Sequence, residues 1–302
     1  MGFTDQYGRP YRMGYFTGNS SMLPYLEHID SSVLTRYERN LVPTATERSN
    51  AASHRKSLES ALSASDVLRF FQTGSFKFGT GLRGISDADY FLSLSGSRNF
   101  QNVLRAIHTR LNGRYTNTRV VIDGPSVKVV FATRPVYEII PAFTCGKSGE
   151  YEYFAISNAR GGYKYTCPEY YNALIDKQNQ RLNGKLKGLI RLVKAWSHYN
   201  RLGISSIYLE MYVTQHCQKL YSIDFEIEFT NILKALSRYI LQPIPDPLGI
   251  EDFYPSSTNL NYFAIMQKAQ EHSGLIDYLS YNSGLSQKSA VWNSVFNGNF
   301  KI

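Results

Sequence analysis

The stretch from Gly74 to Phe91, GSFKFGTGLRGISDADYF, constrains this chain more than any other. It opens on a Gly-Ser turn and closes on two aspartates separated by one residue. Side chains of a strand alternate faces, so Asp87 and Asp89 point the same way while Ala88 points back. Neighbouring carboxylates repel each other, and a fold seldom keeps such a pair without a cation between them. Oxygen-only ligands at this spacing suit magnesium, which takes one or two carboxylates together with substrate phosphates. Upstream, the Gly74-Ser75 turn exposes backbone N–H groups, a concavity that cradles anions when a helix starts beyond it. Gly-Ser alone is common in loops, and a lone D-x-D is usually a solvated turn. Joined within eighteen residues, with Gly79-Thr80 between them, they describe a nucleotidyl-transfer site.

At 302 residues the chain has room for one large domain or two modest ones. Its 43% apolar and 19% charged residues are those of a soluble globular protein with a sizeable core. A formal charge of +9 favours polyanionic partners, and nucleoside triphosphates or a nucleic acid would both satisfy it. No run of five or six consecutive basic residues marks a dedicated nucleic-acid tail. The cysteines Cys145, Cys167 and Cys217 are widely spaced and form no C-x-x-C, which predicts free thiols rather than disulfides or zinc ligands. No apolar run is long enough to span a bilayer and the start does not read as a leader, so the expected compartment is the cytoplasm, with no membrane partner.

Along the chain, Met1 to Ser20 reads as a loop or arm and Ser21 to Asn40 as a first helix. Pro43-Thr44 opens a second, long amphipathic helix over Glu47 to Ala64. Strands are expected at Val67 to Gln72, Ala88 to Leu94, Arg119 to Ile122, Ser126 to Ala132, Val136 to Pro141 and Tyr151 to Ile156, with a helix over Ser97 to Arg114. Beyond Gly161-Gly162 the pattern turns helical: Pro168 to Gln180, Gly184 to Tyr199, Ser205 to Cys217, Phe225 to Leu241 and Leu260 to Ser273. Together these predict an α+β fold with a mixed sheet flanked by helices, then a helical lobe, with a cleft between. The expected divisions are 1–46 for an arm and helix, 47–160 for a catalytic core and 161–302 for the helical lobe. Trp196 and Trp292 read as core residues.

The motifs resemble those of the polymerase-β-like nucleotidyltransferases and, more narrowly, the bacterial CD-NTases related to cyclic GMP–AMP synthase. That family carries a G-S turn, a following G-T and then S-D-x-D, matched here by Gly74-Ser75, Gly79-Thr80 and Ser86-Asp87-Ala88-Asp89. The resemblance implies a third acid shortly before a Pro-Ala-Phe. Tyr137-Glu138-Ile139-Ile140-Pro141-Ala142-Phe143 fits, making Glu138 the third metal ligand in place of the family's usual aspartate. Asp123, just ahead of Gly124-Pro125, is the fallback acid.

In the helical lobe the family's lysine helix and Ser-Ser-x-Tyr helix start map onto Lys194 and Ser205-Ser206-Ile207-Tyr208. Lys194 and Ser206 are implied to contact the triphosphate together with Gly74 and Ser75. Ser205 acts as cap or second contact, and Tyr208 is a candidate for stacking on a base. The resemblance further implies two Mg²⁺ ions (Mn²⁺ as substitute), ATP, GTP or pyrimidine triphosphates as substrates, and a cyclic di- or oligonucleotide product. That product would reach a downstream effector in anti-phage defence, and the enzyme would act as a monomer. Two other readings stay open: a template-independent enzyme adding nucleotides to RNA ends, and a nucleotide-binding sensor without catalysis.

Overall fold

Thr44 and Glu47 close a capping box in which the Glu47 N–H donates to Thr44 Oγ1 at 3.1 Å and the Thr44 N–H donates to Glu47 Oε2 at 2.7 Å. The box satisfies donors that a helix start otherwise leaves unpaired, and it fixes the beginning of helix α2 (Ala45–Leu62). The computed structural model describes residues 31–301 except Ser97, Thr116, Ala159, Arg160, Ser257, Thr258, Ser283 and Gly284. The arm expected over Met1 to Ser20, and the expected helix up to residue 30, lie outside the described residues. Its described remainder is helix α1 (Ser31–Leu41).

After α2 the chain builds a sheet. Strand β1 (Val67–Thr73) leads into a short helix α3 (Gly74–Phe78), then β2 (Ala88–Leu94), helix α4 (Phe100–Arg114), β3 (Arg119–Asp123), β4 (Ser126–Val130), β5 (Tyr137–Ser148), β6 (Tyr151–Ser157) and β7 (Tyr163–Thr166). The strand order is β1-β2-β5-β4-β3, with β6 pairing β5 and β7 pairing β6. Among the described residues only β2 and β5 run parallel; the other pairs are antiparallel. A parallel pair needs a crossover of a dozen residues or more, and here α4 with the β3–β4 hairpin supplies it.

Alternation along the strands gives the sheet two different faces. Ala88, Tyr90, Val127, Val129, Tyr137 and Ile139 are buried at 0–1% exposure and join one core with Leu58 and Leu62 of α2 and Leu104, Ile107 and Leu111 of α4. The residues between them, Asp89, Lys128 and Glu138, therefore point to the other face.

The remaining chain is helical: α5 (Pro168–Arg181), α6 (Leu186–Tyr199), α7 (Ser206–His216), α8 (Phe225–Arg238), α9 (Tyr262–Asn282) and α10 (Leu285–Val295). A second core runs through these helices and contains Trp196 and Trp292. It also takes in Leu34, Tyr37 and Leu41 of α1 and Phe78 of α3. The chain thus contributes to the helical half before it builds the sheet. The three cysteines are free thiols, Cys167 and Cys217 buried. Among the described residues, no helix is long and apolar enough to cross a membrane.

Candidate active site

One row of side chains crosses the sheet on the face opposite the apolar core. In the β1–β2 register Thr73 lies beside Asp89, in the parallel β2–β5 register Asp89 lies beside Glu138, and in the β5–β4 register Glu138 lies beside Lys128. Residues in register share a face, so strand pairing alone brings Asp89 and Glu138 together from 49 positions apart in sequence. Asp87 lies two residues ahead of Asp89, immediately before β2. The Ala88 N–H donates to the Val136 carbonyl at 2.8 Å and so begins the parallel ladder there.

The loop that delivers Asp87 is tied at both ends. Glu47 of the capping box accepts the Gly84 N–H on its second oxygen at 2.8 Å. Ser86 Oγ accepts the Leu82 N–H at 2.8 Å, and the Ser86 N–H returns to the Leu82 carbonyl at 2.9 Å. Bonds from the Thr44 and Gly84 N–H groups hold the Glu47 carboxyl below its ordinary range although burial acts the other way. The residue that starts α2 therefore also anchors the approach to the paired aspartates.

The Gly-Ser element is a helix start rather than a free turn, since α3 begins at Gly74 itself. Gly74 has φ of +66°, and a Cβ built on it would lie 1.9 Å from Asp89 Oδ2. Only glycine allows both the backbone angle and the approach of the carboxylate. The motif's first residue is thus in direct contact with its last acid.

The electrostatics of the acid cluster are strained. Burial and the facing Glu138 push the Asp87 carboxyl up to about 6, while Lys128 and Arg134 pull against them. Asp89 is raised well above the usual carboxylate range by burial, then by Glu138 and Asp87; Lys194 opposes and Glu210 adds to the rise. Asp89 is enclosed by protein on most sides, yet solvent still reaches it from the cleft. Lys128 Nζ stands 2.8 Å from Glu138 Oε1, 2.9 Å from Asp123 Oδ2 and 3.7 Å from Asp87 Oδ2. Asp123 is therefore a partner of Lys128 at the rim. Among the described residues, no three His, Cys, Asp or Glu side chains are already gathered into a ligand set.

A shallow groove of about 490 Å³ opens over this edge, lined by Asp87, Arg119, Asp123, Lys128 and apolar residues of β3, β4 and the approach to β5. The larger cavity, about 760 Å³, is elsewhere, between the start of α4 and Ser157–Gly162, and holds none of the candidate residues.

From the helical half, Lys194 of α6 reaches the same region. Its side chain is 6% exposed and pairs with Glu210 Oε1 at 2.7 Å, and the Thr80 hydroxyl donates to that same oxygen at 2.6 Å. Thr80 belongs to the Gly-Thr motif, so Glu210 joins the motif loop to α6 and α7. Ser206, the exposed first residue of α7, lies one turn before Glu210 on the same helical face. Ser205 sits at the cap position without a side-chain capping bond, and its N–H donates to the Pro255 carbonyl at 2.6 Å.

Tyr208 corrects the expectation from the sequence. Its ring is 1% exposed and stacks with Tyr212, and its hydroxyl donates to the Gln242 carbonyl at 2.7 Å. A ring packed on both sides in the helical core has no face for a base. Two participants escaped the sequence reading. Lys128 left only a faint signal, a lone lysine between valines in a short strand. Glu210 stands one turn beyond Ser206, a spacing that would have placed it on the motif's face.

Comparisons with known proteins decide the family. Residues 30–179, about half of the chain, match the Second Messenger Oligonucleotide or Dinucleotide Synthetase (SMODS) domain. This chain belongs to the CD-NTase family. It is 28% identical over 173 residues to a probable cyclic nucleotide synthase of Bacillus cereus strain VD146, a match covering 55% of this chain and 51% of that relative. The chain thus spans about half the length of that relative.

Among solved structures, it superposes on E. coli MS115-1 CdnC with ATP at a TM-score of 0.73 and 20% identity, covering 91% of this chain and all of that one. It also superposes on Bradyrhizobium diazoefficiens CdnG in complex with GTP at 0.73 and 11% identity, covering 89% and 95%. At such identities these likenesses speak for the fold alone, the α+β architecture of the polymerase-β-like nucleotidyltransferases.

Proposed function

We propose that this CD-NTase is a nucleotidyltransferase that joins nucleoside triphosphates into a cyclic di- or oligonucleotide with release of pyrophosphate. The observation that carries this reading is the register pair Asp89–Glu138, with Asp87 on the same face and Gly74 against Asp89. The relative named a probable cyclic nucleotide synthase and the likeness to proteins solved with ATP and GTP support it.

The residues present fit a pair of magnesium ions. Three carboxylates share one solvent-reached cleft, two of them with raised affinity for protons. A lysine ammonium already stands where positive charge is favoured. Asp87 and Asp89 would hold both ions and Glu138 would complete one site. When bound, such ions lower the pKa of the acceptor hydroxyl and offset charge on the phosphates.

The chain's own residues then position the substrate. Lys194 is aimed by Glu210, so its ammonium is held in place before a triphosphate arrives, which limits the ordering cost at binding. Ser75 and Ser206 supply hydroxyl and N–H donors, and Ser205 its hydroxyl, at the starts of α3 and α7 for the leaving pyrophosphate. The enzyme would work as a cytoplasmic monomer whose product signals to an effector in anti-phage defence. The test is pyrophosphate release from mixed triphosphates with Mg²⁺. Wild type should release it, and Asp87→Asn and Asp89→Asn should not. Release unaffected by either substitution would remove the reading.

A further inference from the structure

Lys128 belongs to the acidic row, yet nucleotidyl transfer as outlined above gives it no task. Val127 and Val129 on either side are fully buried in the sheet's apolar core, so strand alternation turns Lys128 into the cleft. Its ammonium contacts two of the three acids, Glu138 at 2.8 Å and Asp87 at 3.7 Å. A further contact leads outward to Asp123, at 2.9 Å, whose carboxyl is 59% exposed at the groove's rim.

Three carboxylates without a counter-charge would repel one another. A lysine on a flexible four-carbon stem supplies that charge without fixing a geometry. Because Asp123 already holds one of its protons, the ammonium can leave Asp87 and Glu138 without losing all partners. We propose that Lys128 is a resident counter-cation of the metal site, neutralising Asp87 and Glu138 when no metal is bound and withdrawing onto Asp123 when a divalent ion enters. Lys128 is thus a positioning residue that sets metal affinity. The inference rests on the metal-site reading above.

Binding of Mn²⁺ alone, followed by electron paramagnetic resonance at pH 7.5 without nucleotide, tests it in four proteins: wild type, Lys128→Met, Asp123→Asn and the double variant. Removing a unit charge about 5 Å from a divalent ion in a solvated cleft should tighten Mn²⁺ binding about tenfold. Asp123→Asn should weaken binding severalfold in the wild-type background, because the ammonium then has no other place to go. In the Lys128→Met background the same change should have almost no effect.

Equal or weaker binding by Lys128→Met overturns the proposal. So does an Asp123→Asn loss that persists in the double variant, since Asp123 would then act only through its own charge. Lys128→Gln replaces the methionine variant if circular dichroism shows that it is unfolded, and Lys128→Arg, which keeps the charge, should not gain the tenfold. If wild type binds no Mn²⁺ even with triphosphate present, the metal-site reading fails and takes this inference with it.

Discussion

Gly74→Ala probes the contact on which the motif depends. The added Cβ would lie 1.9 Å from Asp89 Oδ2, whereas ordinary contact begins at 3.4 Å, so the carboxylate and the backbone must separate by 3.4 − 1.9 = 1.5 Å. A displacement on that scale at a reacting centre costs about a hundredfold in rate. The positive φ adds about 1–2 kcal/mol of backbone strain. That strain lowers stability without bearing on chemistry.

Gly84→Ala separates the two effects, because Gly84 has nearly the same φ, +69°, and no atom within 4 Å of its built Cβ. Both variants should lose similar stability in urea unfolding. In single-turnover assays with saturating triphosphate and Mg²⁺, Gly74→Ala should lose about a hundredfold in rate and Gly84→Ala less than about threefold. Equal rates in the two variants would show that the approach of Gly74 to Asp89 is not what the chemistry needs.

Glu210→Gln leaves Lys194 buried without its counter-ion, which should cost about 3 kcal/mol in denaturant unfolding and raise KM for the triphosphate more than it lowers kcat; an unchanged midpoint would refute the buried pair. Tyr208→Phe should lose about 1 kcal/mol with its bond to the Gln242 carbonyl and leave the choice of bases unchanged, as product analysis would show. For pH, the folded Asp87 carboxyl titrates near 6 and its unfolded counterpart near 3.8. Its contribution to the metal-free fold is therefore complete below about 4 and lost as pH rises through 6. Mg²⁺ should accordingly raise Tm at pH 7.5 and have little effect at pH 5, where protons hold the site. An equal gain at both values would contradict the assignment.

Much of this site was legible in the sequence because it is encoded by strand alternation and motif spacing. Asp87 and Asp89 share a face for the reason any i, i+2 pair does, and β2 spans the expected Ala88 to Leu94. Glu138 came from motif resemblance, and the parallel register placed it beside Asp89. Register is a property of strand pairing across 49 positions, which no local pattern reports. The role of Lys128 was hidden for the same reason, since it arises only when β4 is laid against β5.

Tyr208 failed differently: the motif fixed its place on α7 but not the direction of its ring, which core packing decided. Strand β7 and helix α10 were missed. The first has four residues and pairs only with β6, and the second mixes polar and apolar positions with little periodicity.

The central claim is most directly tested by the mass of the product. Purified protein incubated with all four triphosphates and Mg²⁺, then treated with phosphatase, should yield a species with the mass of a closed ring of nucleoside monophosphates. Asp89→Asn should yield none. A ladder of linear oligonucleotides, or transfer of label only to added RNA ends, would contradict the account and return the acids to a polymerase-type reading.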